Sequence, residues 1–237
     1  MNPYQKLLNR KRKWTPVQTT AGTCKPGAEE AIFRALALRH MELPVGDFIN
    51  DALATDVPKN ARDVLLSNVK DEENHDLALG YIANAYGVDE QAEAEALRLK
   101  SAWEAHPDHT ITKALVAERA IFFVLLPFFR FNGDAGMRTV SADISRDEQI
   151  HVAVNSLAHT ELGYNISPSL DKLRKATINW VMQPLGEHTD KYLNKKFWLE
   201  SSDRLMYEGK APQLAETKAA RMPAFFEHSN VNLPQYA

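Results

Sequence analysis

The sequence predicts an all-α protein whose core is four helices arranged as two antiparallel hairpins, over residues 26–86 and 110–162. Three observations lead there. Val, Ile and Thr never alternate with polar residues for as many as five positions, so no half-buried strand is encoded. Apolar residues recur at helical spacing between Pro and Gly stops. One pattern, a Glu followed 30 positions later by a Glu-x-x-His, occurs once in each hairpin.

The elements follow in order. Residues 1–25 carry Thr, Gly and Pro punctuation and read as an irregular N-terminal segment. A first helix opens at Pro26 and runs to about Ala54, with Ile32, Leu36, Leu43 and Phe48 near helical spacing; Pro44 should kink or interrupt it. Asp56-Val57-Pro58 marks a turn, and a second helix runs from Pro58 to Tyr86 before Gly87. Residues 89–105, rich in Ala, Glu, Leu and Gln, read as a short exposed connecting helix. A third helix spans about Thr110 to Phe131, and a fourth about Gly136 to Leu162 before Gly163. Residues 163–237 hold additional C-terminal helices, over 170–208 with a break near Pro184, and then a proline-containing tail. No domain boundary is visible, so residues 1–237 read as a single domain with its core at 26–162.

Composition narrows the functions. Of 237 residues, 44% are apolar, enough for a sizeable core. The net charge of −3, from 28 basic and 31 acidic residues, points to no nucleic-acid and no membrane-surface partner. The short cluster Arg10-Lys11-Arg12-Lys13 reads as a solvated segment. The apolar run Ile121–Phe129 is too short to span a bilayer and reads as a buried helix. A lone cysteine, Cys24, and no apolar leader fit a reducing, cytoplasmic setting.

The duplicated pattern carries the chemistry. Glu72-Glu73-Asn74-His75 and Glu148-Gln149-Ile150-His151 each put a carboxylate and an imidazole on one helix face. A single Glu-x-x-His is weak evidence, because such residues are usually solvated. Glu42 stands 30 positions before Glu72, and Glu118 stands 30 before Glu148. Thirty positions is one helix climbed for roughly 20 Å, a turn, and the same distance descended. The turns near residues 56 and 134 lie almost halfway. Glu42 should therefore face Glu72 and His75, and Glu118 should face Glu148 and His151, at one height. Four buried carboxylates would be prohibitively costly without cations, whereas with two metal ions they match the di-iron and di-manganese carboxylate arrangement of ferritin-like four-helix bundles. Glu29 and Glu30 are alternatives to Glu42, but they read better as first-turn acids favoured by the helix dipole. His40, His106, His109, His159, His188 and His228 lack a matching partner and read as structural or exposed.

The motif Ile144-Ser145-Arg146-Asp147-Glu148-Gln149-Ile150-His151 resembles the Ile-Ser-Arg-Asp-Glu-x-x-His signature of the small, radical-generating subunit of class I ribonucleotide reductase and its relatives. Glu118-Arg119-Ala120-Ile121-Phe122-Phe123, Gly136-Met137, Glu72-Glu73-Asn74-His75, Trp14-Thr15-Pro16 and Phe225-Phe226-Glu227 are similar to further elements of that family. The resemblance implies two metal ions per chain, Fe/Fe or Mn/Fe, with O2 as oxidant. It implies a homodimer and a ribonucleotide reductase large subunit as partner. It also implies catalytic roles for Trp14 and Asp147, which with His75 match the family's electron path, Asp147 orienting a ligand histidine. Two departures stand out. The family's radical tyrosine lies four residues after the second-helix histidine, where this chain has Leu79, with Tyr81 turned to another face. The chain also ends at Tyr236-Ala237, without the family's long docking tail. The alternative expectation is therefore a stand-alone di-iron oxidase or oxygenase acting on a small organic substrate.

Overall fold

A computed structural model describes residues 2–214. Among these residues every regular element is helical and no strand occurs. Residues 225–227 and His228, singled out in the sequence, lie outside the described residues.

The first correction concerns the N-terminal segment. It is not irregular throughout, because α1 (Pro3–Leu8) forms there, with Pro3 in its first turn and the Asn2 side chain accepting from the Gln5 amide at 2.8 Å. Residues 11–25 that follow carry no helix.

The helix expected over 26–54 is two helices, α2 (Glu29–Ala37) and α3 (Glu42–Thr55), joined by a 3-10 turn at Leu38–Met41. Pro44 explains the break. It has no amide to give the His40 carbonyl, and its ring would clash with that carbonyl in a continuous helix. Restarting at Glu42 places Pro44 in a first turn, where a missing amide costs nothing. The same restart puts Glu42 at the inner end of α3.

Beyond the turn at 56–58, a 3-10 turn at Lys59–Ala61 leads into α4 (Arg62–Tyr86). Gly87, at φ 98°, ends α4 in a conformation that side-chain-bearing residues avoid. The connecting helix α5 (Glu90–Glu104) is capped by Asp89 and is not simply exposed: it buries Ala92, Ala96 and Trp103. The Trp103 indole donates to Thr177 Oγ1 at 3.0 Å, which ties α5 to the C-terminal helices.

The third arm departs from expectation as well. It is α6 (Thr110–Ala117), one π turn at Glu118–Phe122, and α7 (Phe123–Asn132), which contains Pro127. The fourth arm is α8 (Ala135–Leu162), started by the Asp134 cap and stopped by Gly163 at φ 68°. The helices α9 (Pro168–Met182) and α10 (Lys195–Glu208) complete the described chain.

Packing follows from these faces. α3 lies on α4, α4 on α8, α8 on α6 and α7, and α6 back on α3, so four helical arms close a ring. The core runs through that ring, and α10 seals one side of it, with Phe128 and Trp198 meeting edge to face at 5.3 Å. α10 also supports the π turn. Ser202 Oγ donates to the Ala120 carbonyl at 2.6 Å, and the Arg119 side chain reaches the Leu205 carbonyl at 2.8 Å. Behind Ser202, the fully buried Arg174 donates to its hydroxyl at 2.6 Å and pairs with Asp171 and Asp203. No helix among the described residues is long and apolar enough to cross a membrane.

Candidate metal centre

The ring brings six ligand-type residues together. Glu42 opens α3, Glu72 and His75 lie mid-α4, Glu118 opens the π turn, and Glu148 and His151 lie mid-α8. All six are buried, five of them with no exposure at all. Two groups of ligand-type atoms converge, Glu42–Glu72–His75–Glu148 and Glu72–Glu118–His151, each with its donor atoms within 4.8 Å of one another. These buried Glu and His groups can hold a metal ion.

The distances show how the groups are shared. His75 Nδ1 lies 3.2 Å from Glu72 Oε2, 3.3 Å from Glu148 Oε1 and 3.6 Å from Glu42 Oε2. His151 Nδ1 lies 3.0 Å from Glu72 Oε1, 3.5 Å from Glu148 Oε1 and 3.7 Å from Glu118 Oε1. Glu72 thus turns one oxygen to each imidazole, Glu148 stands between them, and Glu42 and Glu118 flank them. The rings themselves stack at 5.5 Å.

The donor set fits metal ions on a specific observation. Glu42 Oε2, Glu72 Oε1, Glu118 Oε1, both oxygens of Glu148 and His151 Nδ1 are buried without a hydrogen-bond partner. Orphaned buried acceptors are expensive, and these belong to the residues of the two convergent groups. Four carboxylates also balance the charge of two divalent cations.

Without cations the cluster has to hold protons instead. Burial pushes Glu42 up to about 8, with the His75 contact opposing it. Burial, and then the neighbouring Glu148 charge, push Glu118 well above the usual carboxylate range. Burial would raise Glu72 too, but His151 and His75 hold it below that range. Burial works against a charged His75, yet Asp147, Glu148, Glu42 and Glu72 around it raise it well above an ordinary imidazole. His151 is raised in the same way, against burial, by Glu148, Glu72 and Asp71. Metal binding at such a site displaces protons.

Behind the ligand-type atoms the helices cross over. His75 of α4 turns Nε2 toward Asp147 Oδ2 of α8 at 3.4 Å, and His151 of α8 turns Nε2 toward Asp71 Oδ2 of α4 at 2.9 Å. Each aspartate so placed fixes its imidazole with Nδ1 facing the centre. The Trp14 indole donates to Asp147 Oδ2 at 2.6 Å. Burial raises the Asp147 carboxyl, but the His75 and Trp14 donors outweigh it and bring it below its ordinary value.

The structure brings together all eight residues that the sequence singled out, the six ligand candidates with Trp14 and Asp147. Glu29 and Glu30 stay on the exposed start of α2, where Glu29 accepts from the Gly27 amide and Glu30 pairs with Arg34. His40 pairs with Glu93, His109 stacks on Tyr164, and His159 meets Thr112, all away from the centre.

Three residues were missed. Asp71 was legible, since both motifs read Asp-Glu-x-x-His. Asn155, whose amide donates to Glu118 Oε2 at 2.5 Å, gave no signal of its own. Lys11 was placed wrongly, because the cluster at 10–13 is not simply solvated. Lys11 forms an ion pair with Asp71 with only 9% of its side chain exposed, and Arg12 reaches Asp143 at 3.1 Å. A charge run by itself does not reveal the carboxylates it will meet in space.

Comparison of the chain with protein-family models, with curated proteins and with solved structures gives no match.

Proposed function

We propose that this chain is a ferritin-like dinuclear metal protein that activates O2, with iron in both positions or manganese and iron, acting as a compact radical generator like the small subunit of ribonucleotide reductase. The observation that carries the reading is the convergence of four carboxylates and two imidazoles, with at least one buried, unpartnered oxygen on each glutamate. Glu42, Glu72, Glu118 and Glu148 would hold the ions through their carboxylates, and His75 and His151 would each supply one nitrogen. Two such ions, when bound, supply reducing equivalents to O2 and a strong oxidant in return. The rest of the work falls to the chain. Burial excludes water, Asp147 and Asp71 hold the imidazole tautomers, and Trp14–Asp147–His75 offers a hydrogen-bonded route for an electron from a half-buried indole to the centre. Partnership with a large subunit and assembly as a homodimer belong to this reading.

A second reading, a stand-alone oxidase or oxygenase, is favoured by one feature. Leu79, Leu38, Phe122, Leu125 and Phe129 line a narrow, mostly apolar crevice that Arg39 and Glu42 also border. The crevice would have to widen to admit a small organic molecule, which would then lie beside Glu42.

The first experiment is metal analysis of protein produced with iron and manganese supplied, beside the Glu148→Ala and His75→Ala variants. About two ions per chain, depleted in both variants, is the expected result for this ligand set. A folded wild type that takes up no metal overturns the reading. O2 uptake by the loaded protein is then followed with a ribonucleotide reductase large subunit or with small organic substrates. Dependence on the large subunit supports the first reading, and stimulation by substrate alone supports the second.

A further inference from the structure

The two imidazoles are held alike as far as their aspartates and differently beyond them. Asp147 Oδ2, on the His75 side, takes a neutral indole N–H. The nearest cation there is Arg12, whose Nε stands 3.9 Å from the other oxygen while its Nη2 is spent on the Asp143 carbonyl and carboxylate. On the His151 side, the oxygen that faces the imidazole, Asp71 Oδ2, is itself paired with the Lys11 ammonium. Lys11 Nζ also stands 3.4 Å from His151 Nε2.

A carboxylate that accepts a hydrogen bond from a ligand imidazole makes that imidazole a better donor to a metal. An ammonium on the same oxygen withdraws part of that effect. It also repels a dication across a poorly screened interior. Both effects have the same sign at His151, and neither has an equal at His75. We infer that Lys11 is a positioning residue that makes the two metal positions unequal, weakening divalent-cation binding at the His151 position relative to the His75 position. The inference rests on the dinuclear reading above.

The test is titration of the metal-free protein with Mn(II), with free manganese followed by electron paramagnetic resonance and heat by calorimetry. His75→Ala and His151→Ala assign the binding steps. Wild type should show two unequal steps, the weaker one lost in His151→Ala. Lys11→Gln removes the charge but keeps a hydrogen-bond donor for Asp71, and should tighten the weaker step about tenfold, within the range that outer partners of metal ligands command. Lys11→Arg keeps the charge and should leave the two steps as they are. Equal steps in wild type, or a weaker step that Lys11→Gln leaves unchanged or loosens, overturn the inference while leaving the dinuclear centre intact. A wild type that binds no manganese, iron or cobalt removes the centre itself, and the inference with it.

Discussion

The half of the centre around His75 and the half around His151 are built from one pattern and finished differently. Each half has a lone glutamate, an Asp-Glu-x-x-His helix and an aspartate borrowed from the opposite helix. Yet Glu42 enters from a helix restarted after a 3-10 turn, whereas Glu118 enters from a π turn. Four residues beyond the histidine, one half has Leu79 against a mostly apolar crevice and the other has Asn155 bonded to Glu118. One half is closed by Trp14 and the other by Lys11. The duplicated motif thus sets where the donor atoms converge, and the residues that differ set what each position does.

The comparison can be broken most severely at the shared residue. Glu72→Ala removes an oxygen from both halves and should reduce bound metal from about two ions per chain to almost none. Glu42→Ala and Glu118→Ala each touch one half and should leave about one ion, by the same ligand count. Metal analysis on folded protein decides it, and equal losses in all three variants would mean that the halves are not separable.

A weaker break goes through the support of one half. Ser202→Ala removes a side-chain donor from the Ala120 carbonyl of the π turn and strips one partner from Arg174. The expected cost is about 1–3 kcal/mol in thermal or denaturant unfolding. Metal should be lost from the Glu118 half first, and loss from the Glu42 half instead would contradict the assignment of the π turn to one position.

The halves act together in their pH response. Without metal, raised Glu42, Glu118, His75 and His151 mean that the folded state holds more protons than the unfolded chain. That stabilisation is complete below the unfolded carboxyl value of 4.5 for the glutamates, and is lost as pH rises through the folded value, about 8 for Glu42. Depressed Glu72 and Asp147 act in the opposite sense, and their contribution disappears only at acid pH. The melting temperature of metal-free protein should therefore fall between about pH 5 and 8, while metal-loaded protein should hold or gain stability over that range. A metal-free melting temperature that climbs across it would show that the cluster is not proton-loaded.

The smallest effect sharpens the contrast at one atom. Asn155→Leu copies Leu79 into the other half and removes the donor to Glu118 Oε2. Metal at the His151 position should weaken by about tenfold, which corresponds to one hydrogen bond to a charged group. No change in the titration would show that Asn155 serves packing alone.

Much of this was legible in the sequence because it rests on periodicity and spacing. The repeated 30-position interval placed Glu42 opposite Glu72, and Glu118 opposite Glu148, and Gly87 and Gly163 marked two helix ends at positive φ. Pro44 announced a break without saying on which side it would fall. The π turn at Glu118 was not legible, and the contacts it makes with α10 lie more than 80 positions away, as in the bond from Ser202 to Ala120. Lys11 failed for the same reason: its partner Asp71 lies 60 positions along the chain. Local pattern reports what a segment prefers, and long-range pairing decides what its charges do.

One feature of the burial bears on time rather than on affinity. Five of the six candidate ligands have no exposure and Glu42 has 3%, so an ion would arrive or leave chiefly during a local opening of the chain. The segment 11–25 lies over both outer aspartates and has no helical hydrogen bonds of its own to break. In a loaded centre, opening of that segment would uncover both aspartates, and the residence time of the ions would follow how often it opens.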